Sequence, residues 1–392
     1  MDSAVIAGIV AAKTHLADNQ NQNTGEDALN AQSIEAGRTT ALKVFSANIK
    51  SDDRLVNLVT NATLDIVDNS ISSKMSYTVN YKLAFGSFIN LDTFELNNKA
   101  NAIADLPTYL NVTIVMDNSS SMGIGADQSN IDLMKLNMTC EFACHVNNHP
   151  YYDLAHSFGA VLRIDIMREA ISNMLRQANI LKATPDLFQF SLHTFSNSLV
   201  TVQNQTIDYD LLANAMNNIV LTTIGGGTNF HYALSTQLPP LLTTSDDGKT
   251  AVKRKSHVIL VTDAVEDCAS FNTIGTYICD LNYVSWLGNG TPSVYHNIQG
   301  FDPSICNAIK DTGATVTVLH VTYSIPSPLL PSDTGYVVYE DIKNKILSFE
   351  STTIKGCASD SSRYYSANSP AEIKAATSAI FNQISKPIRL TN

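Results

Sequence analysis

Three observations predict an α/β protein built on a doubly wound, mostly parallel sheet and preceded by a smaller α+β module. Short, wholly apolar runs recur after residue 107, helical patterns separate those runs, and the first hundred residues have a different texture, two helices followed by period-two strands. The 392 residues are 44% apolar, enough for a sizeable core, and only 16% charged, against about a quarter in an average soluble chain. Asn, Ser and Thr take the place of the missing charges, as in exported and surface proteins. The formal charge of −11 and the absence of any basic face exclude nucleic acid as the main partner, because counterion release needs clustered cations. The one basic cluster, Lys253-Arg254-Lys255, is too short to change that.

Taken in order, Ser3 to Ala12 is apolar and rich in small residues. It reads as the downstream half of a longer helix or as an ordinary amphipathic first helix. No run approaches the roughly 18 apolar residues of a membrane span, and no basic n-region with a cleavage site marks a signal peptide. A polar loop from Asp18 to Gly25 leads to a second helix over 28–49, where Ala31, Ile34, Leu42, Val44 and Phe45 fall near a 3.6 spacing. Alternation over 63–67 and 76–83, across Asp68-Asn69-Ser70, predicts two strands, and a third around 94–103 completes a small antiparallel sheet. This unit, 1–106, ends near Asp105-Leu106-Pro107.

The second unit is 107–392. Val112 to Met116 is short, apolar and β-branched, as suits a strand buried on both faces of a parallel sheet. Similar runs are 187–195, 257–261 and 314–321. Helices are expected over 158–180, 208–219, 229–238, 304–311, 335–349 and 370–385. Two cysteine-bearing stretches, 123–157 and 266–300, read as insertions near the carboxyl edge of the sheet.

The first buried strand runs straight into Asp117-Asn118-Ser119-Ser120-Ser121. Ligands of open α/β sheets bind beyond the carboxyl ends of strands, and here that place holds one carboxylate and two hydroxyls on a tight, solvent-facing turn. Gly225-Gly226-Gly227-Thr228 precedes a helix, and Thr262-Asp263 ends the run 258–261. Together they offer hard oxygen ligands with few fixed negative charges. That donor set suits a six-coordinate Mg²⁺ that keeps waters, with Mn²⁺ or Ca²⁺ as alternatives.

The combination of Asp-x-Ser-x-Ser, Gly-Gly-Thr and Thr-Asp at strand ends resembles the von Willebrand factor A domain and its metal-ion-dependent adhesion site (MIDAS). The resemblance implies that Ser119, Ser121 and Thr228 ligate directly, with Asp117 and Asp263 acting mostly through water. A remaining coordination position is left for a partner's carboxylate. One departure is Ala264, where family members often have Gly after the aspartate.

Further stretches narrow the resemblance. Cys140-Glu141-Phe142-Ala143-Cys144-His145 follows the metal loop, Met1-Asp2-Ser3-Ala4 and Phe45-Ser46-Ala47-Asn48 mark the first two helices, and Cys357-Ala358-Ser359, Tyr364 to Ala367 and Ile388 to Thr391 close the chain. These are similar to the TadG-type assembly proteins of bacterial tight-adherence (Tad) pili. The resemblance implies a pilin-like N-terminal module and an upstream membrane helix absent from this chain. It also implies an extracytoplasmic location, either anchored at the inner membrane facing the periplasm or at a pilus tip on the cell surface. The expected partners are other pilus subunits or a host or surface ligand bearing an acidic residue.

The six cysteines, Cys140, Cys144, Cys268, Cys279, Cys306 and Cys357, form no C-x-x-C, and an even count in a surface-like chain favours disulfides. The favoured pairs are Cys140–Cys144, Cys268–Cys279 and Cys306–Cys357. Zinc on Cys140, Cys144, His145 and His149 is the weaker alternative, because the spacing is loose. Catalysis is not expected: no Gly-x-Ser-x-Gly elbow accompanies Ser120, no Lys follows the glycines as a P-loop needs, and no general base stands beside the metal loop. The alternative to a non-catalytic adhesive or assembly component is an extracytoplasmic metal-dependent hydrolase.

Overall fold

The computed structural model describes residues 1–19, 25–49, 53–67, 70–85, 88, 91–106, 108–138, 151–180, 187–222, 227–267, 298–333, 336–385 and 389–391. The chain divides into two compact units, one of Met1–Thr108 with Ser385–Asn392 and one of Tyr109–Ile384. The sequence boundary at 106/107 thus moves by two residues, and the last eight residues leave the α/β unit for the N-terminal one.

In the N-terminal unit, α1 (Asp2–Asn19) and α2 (Glu26–Asn48) precede three antiparallel strands, β1 (Leu55–Val67), β2 (Ser70–Lys82) and β3 (Thr93–Asp105). The strands pair in the order β1-β2-β3, and the last strand of the chain, Arg389–Thr391, adds to β3 antiparallel. β2 and β3 pair without interruption from Ser70↔Asp105 to Lys82↔Thr93. β1 carries an irregularity between Val56 and Val59, where Asn57 takes φ +57°, a left-handed conformation that Asn tolerates better than most residues. Small residues set the packing of the helices. A Cβ on Gly37 would lie 2.6 Å from the Gly8 carbonyl and would also strike Leu64, so the backbones approach where no side chain intervenes. Among the described residues no helix is long and apolar enough to cross a membrane.

The second unit is the α/β fold expected. In chain order it contains β4 (Leu110–Asp117), α3 (Gln128–Asn137), α4 (Tyr151–Ser157), α5 (Arg163–Ile180), β5 (Phe188–Phe195), β6 (Leu199–Thr206) and α6 (Tyr209–Asn217). There follow a π-helical segment (His231–Gln237), β7 (Lys255–Thr262), β8 (Val265–Asp267), β9 (Ile298–Gly300), α7 (Asn307–Lys310), β10 (Thr315–Val321), α8 (Tyr336–Lys345), α9 (Glu350–Lys355), β11 (Tyr364–Ala367) and α10 (Pro370–Ser385). The last strand of the chain, in the other unit, is β12.

The main sheet has the order β11-β10-β7-β4-β5-β6, parallel throughout except for β6, which folds back antiparallel on β5 as an edge. β4 is buried along its whole length. Val112, Ile114 and Met116 point into a core shared with α5 and α10 residues such as Met167, Ile171, Ile380 and Phe381. Val115 points to the opposite face, where Val258, Leu260, Val316 and Val318 pack with Phe230, Leu234, Ile309 and Ile354. Both faces being covered is why these strands read as unbroken apolar runs.

Part of what the sequence suggests to be an insertion is core. Ile124 and Ile131 are buried in a cluster with Tyr339, Ile342 and Ile346, and Met134 joins the main core, so residues up to 138 belong to the fold. The expected helix over 158–180 starts at Arg163, and the one over 229–238 is π-helical. Cys306 and Cys357 are disulfide-bonded with Cα atoms 5.3 Å apart, as paired in the sequence reading. Cys140, Cys144, Cys268, Cys279, His145 and His149, with Gly225 and Gly226, lie outside the described residues.

Candidate metal centre

The sheet reverses its direction of growth at β4. The chain passes from β4 to β5 on one side and later returns as β7 on the other. The carboxyl end of β4 is therefore the topological switch point, the crevice where open α/β sheets bind ligands. Asp117 is the last residue of β4, level with Phe195 at the end of β5, and Met116 pairs with Val261 of β7. The switch point thus gathers Asp117, the turn Ser119–Ser121 and the Thr262-Asp263 end of β7.

Within the turn, Asp117 Oδ1 accepts from the Ser119 backbone N–H at 3.0 Å, and the Ser119 and Ser121 hydroxyl oxygens lie 3.1 Å apart. Asp117 Oδ2 accepts from the Thr262 hydroxyl at 2.8 Å. Asp263 is satisfied in the same way: Oδ1 accepts from Val265 N–H at 3.2 Å, and Oδ2 faces Arg163 Nη1 at 3.4 Å. Each carboxylate is tied to protein donors on both oxygens, while the Ser119 and Ser121 hydroxyls are held beside them by their own hydrogen bond.

Thr228 is buried at the same edge. Its chain neighbours fix it there: Asn229 N–H donates to Ser196 O, just past β5, at 2.9 Å, and Phe230 N–H donates to Glu266 Oε1, just past β7, at 3.2 Å. The structure thus brings all five predicted residues, Asp117, Ser119, Ser121, Thr228 and Asp263, to one end of one sheet. The expectation of a solvent-facing loop is corrected. Asp117 and Asp263 have no exposure, Ser119 and Thr228 are buried, and only Ser121 is half-buried. The reason is the long turn through Gly123, whose Met122 and Ile124 fold down into the cores and draw the loop in with them.

Burial has an electrostatic consequence. Removal from water, followed by the nearby charge of Asp263, pushes the Asp117 carboxyl up to about 7, against the opposing hydrogen bonds from Ser119 and Thr262. Glu350 of α9 is pushed up to about 8, again by burial first and then by Asp263. His320 of β10 is held down to about 4 by burial and by the charge of Arg163. Its Nε2 lies 3.7 Å from Glu350 Oε1, and its Nδ1 is 2.9 Å from the Tyr364 hydroxyl. Glu266 is also buried, and among the described residues Arg163 faces Asp263 directly and acts electrostatically on Glu350. Protonation relieves the repulsion among these carboxyls, as the raised values of Asp117 and Glu350 reflect, and a cation would relieve it too.

The donor set fits a small divalent ion. Ligands of Mg²⁺ sit at about 2.0–2.1 Å, so adjacent octahedral oxygens lie ~2.9 Å apart, while Ca²⁺ at about 2.3–2.6 Å spreads them to ~3.3 Å or more. The Ser119–Ser121 separation of 3.1 Å is that of a hydroxyl–hydroxyl hydrogen bond and lies between the two, so it accommodates either ion. No group of three His, Cys, Asp or Glu side chains among the described residues has metal-holding geometry, so any ion here depends on the hydroxyls.

Sequence reasoning missed Arg163, Glu350 and His320, whose partners lie far away in the chain. Ala264 was singled out, and the structure explains why: it is buried at φ +61°, the left-handed region that Gly occupies without cost.

No family model matches the chain, and no curated protein matches it. Among solved structures, it is similar to proximal thread matrix protein 1 from the mussel byssus with a zinc-occupied MIDAS motif, at 12% identity over 70% of this chain and 48% of that one, with a TM-score of 0.37. It is also similar to the vWF domain of the type V pili tip protein Mfa5 from Porphyromonas gingivalis, at 14% identity, covering 71% of this chain and 95% of that one, with a TM-score of 0.39. A third is a mutant of the PilB minor pilin from Streptococcus sanguinis, at 14% identity, covering 86% and 80%, with a TM-score of 0.39. The chain spans about half the length of the mussel protein.

Proposed function

We propose that the protein is a non-catalytic, extracytoplasmic component of a Tad-type pilus system, which binds a partner's carboxylate through a divalent ion at the end of β4. The supporting observation is the pairing of two hydroxyl oxygens 3.1 Å apart with two buried carboxylates whose oxygens are already engaged by protein donors. Ser119, Ser121 and Thr228 would hold the ion, and Asp117 and Asp263 would hold its waters. An ion bound by neutral hydroxyls keeps most of its positive charge, and that charge is the chemistry it supplies: attraction for an Asp or Glu side chain on another pilus subunit or surface ligand. In a chain of net charge −11, it provides a local attractive point for an acidic partner.

Because Asp117 is buried and bonded to Thr262, Asp117→Ala would leave a cavity and an unpaired hydroxyl, so the isosteric Asp117→Asn is the cleaner probe. Titration with Mn²⁺ followed by electron paramagnetic resonance should find one saturable site. Asp117→Asn and Ser119→Ala should each weaken it by about 10–100-fold. Carbon-13-labelled acetate should couple to the bound Mn²⁺ in the wild-type protein. Absence of saturable Mn²⁺ binding, or equal binding by all three proteins, sinks the metal reading, and Mn²⁺ binding without acetate coupling sinks the carboxylate-capture mechanism.

A further inference from the structure

Arg163 has the largest fully buried side chain among the described residues, although arginine is seldom buried without a purpose. It is the first residue of α5, and its guanidinium reaches across the end of the sheet. Nη1 faces Asp263 Oδ2 at 3.4 Å, Nη2 donates to the Val321 carbonyl at 2.6 Å and to the Thr322 carbonyl at 3.2 Å, and the group lies over the Tyr323 ring at 5.3 Å. Its Nε has no hydrogen-bond partner among the described residues. A guanidinium present only for stability would be expected to satisfy its donors at bidentate distance from its carboxylate. This one instead spends its shortest bond on a strand-end carbonyl, which fixes the fork in place, and offers a single nitrogen to one oxygen of Asp263.

The consequence for Asp263 is directional. Val265 N–H holds Oδ1 and Arg163 holds Oδ2, so the carboxylate is drawn toward α5 and the end of β10. We infer that Arg163 is the positioning residue of the metal centre: it keeps Asp263 out of direct coordination and thereby preserves the charge of the ion for an incoming carboxylate. This role rests on the metal-site reading above. Without the guanidinium, Asp263 would be a buried, half-paired carboxylate beside a cation, and direct ligation would be its best compensation. That would exchange one water for a fixed negative charge and leave a tighter but less attractive ion.

The test counts waters on bound Mn²⁺ from oxygen-17 broadening of its resonance lines, in the wild-type protein and in Arg163→Met, Arg163→Lys and Asp263→Asn. Arg163→Met should bind Mn²⁺ about tenfold more tightly, with one water fewer, and should lose the acetate coupling. Arg163→Lys, which restores a cation beside Asp263, should return the water count toward wild type. A residue that serves stability alone would lower the denaturation midpoint and leave the water count unchanged, and an unchanged count in Arg163→Met overturns the role. Should Arg163→Met fail to fold, Asp263→Asn decides: an unchanged count supports the role, while a gained water shows that Asp263 already ligates in the wild-type protein and overturns it. Failure of the wild-type protein to bind Mn²⁺ overturns the metal site itself and this role with it, whereas wild-type binding with an unchanged count in Arg163→Met overturns only the role.

Discussion

The two units bury different things. The described core of the N-terminal unit is closed by small residues, with Gly8 and Gly37 at the helix crossing and Ala62, Ala100, Ala102 and Ala104 on the sheet beneath. Among its described residues the buried polar side chains are Ser33 and Ser73. Among its described residues the α/β unit buries Asp117, Asp263, Glu266, Glu350, Arg163, Arg254, His193, His257 and His320, most of the acidic ones at the carboxyl end of its sheet. Buried charge costs stability unless it is paired or neutralised, and a cluster of it at a strand edge is a candidate site. The described N-terminal unit packs with almost no buried charge, whereas the described α/β unit holds much of its buried charge at one end of its sheet. The contrast predicts that the two should fail differently under reduction, acid and added volume.

The largest separation should come from the disulfide. Cys306 and Cys357 enclose a loop of 51 residues inside the α/β unit, and removing such a link costs about 4 kcal/mol in the chain-entropy account. Denaturant unfolding of the Cys306→Ala/Cys357→Ala protein should therefore shift the transition of the α/β unit by that amount and leave that of the N-terminal unit in place. A shift of both transitions together would show that the two units unfold as one.

Acid should also act on one unit. His257 is buried on β7 with Nε2 3.0 Å from the Thr317 hydroxyl, and burial, reinforced by the charge of Arg363, holds it down to about 3 from an ordinary value of 6.5. The unfolded chain then binds a proton that the folded chain refuses. The stability His257 contributes is complete above pH 6.5 and is lost as pH falls toward 3. Between pH 7 and 4.5 its share is about 3 kcal/mol. Asp117 and Glu350, raised to about 7 and 8, act with the opposite sign, favouring the folded state as they take up protons. For that reason the measurement is a difference: His257→Gln should flatten the acid dependence of the α/β transition relative to wild type. An identical slope in both proteins would mean that the buried imidazole is protonated in the fold.

Added volume should act on the other unit. Gly37→Ala places a methyl group 2.6 Å from the Gly8 carbonyl, and backbone cannot yield as a side-chain end can. Overpacking of this kind costs about 1–3 kcal/mol, less the ~0.8–1 kcal/mol returned by the better helix propensity of alanine. The loss should appear in the N-terminal transition alone, read from its denaturation midpoint. Tolerance of alanine there would mean that α1 and α2 slide apart freely and that the close approach is incidental.

How much of this was legible in the sequence follows from the range of the interactions. The β4 run and Asp117-Ser119-Ser121 are local, so the strand and its metal turn could be read directly. The long, uninterrupted β2–β3 pairing was foreshadowed by its alternation. The three-residue β12 was not, because Arg389–Thr391 is too short to show a period and is defined only by pairing with Ile103, Ala102 and Asn101. β6 was missed for a similar reason: Leu199–Thr206 is a half-exposed edge strand, too polar to stand out beside β5. Arg163 and Glu350 were illegible for a deeper reason. Arginine and glutamate on helices are ordinarily surface residues, and what buries them here is contact with groups far away in the chain, as between Arg163 and Asp263.

The smallest effect tests the one local departure the sequence did reveal. Ala264 follows Asp263 with φ +61°, buried, its N–H donating to the Thr262 hydroxyl at 3.1 Å. A left-handed conformation costs an L-residue about 1–2 kcal/mol, and glycine removes that cost while giving back part of it as unfolded-chain entropy. Ala264→Gly should therefore stabilise the α/β unit by about 0.5–1 kcal/mol, seen as a rise in its denaturation midpoint with no change in the N-terminal transition. The strain is held in place by the same hydrogen bonds that orient the site, since Thr262 binds both Ala264 N–H and Asp117 Oδ2. Relief of the strain need not disturb those bonds, so Mn²⁺ affinity should stay within about twofold of wild type. A tenfold change in affinity would instead mean that the strained alanine helps to set the geometry of the metal loop, and that the cost at residue 264 belongs to the site rather than to the fold.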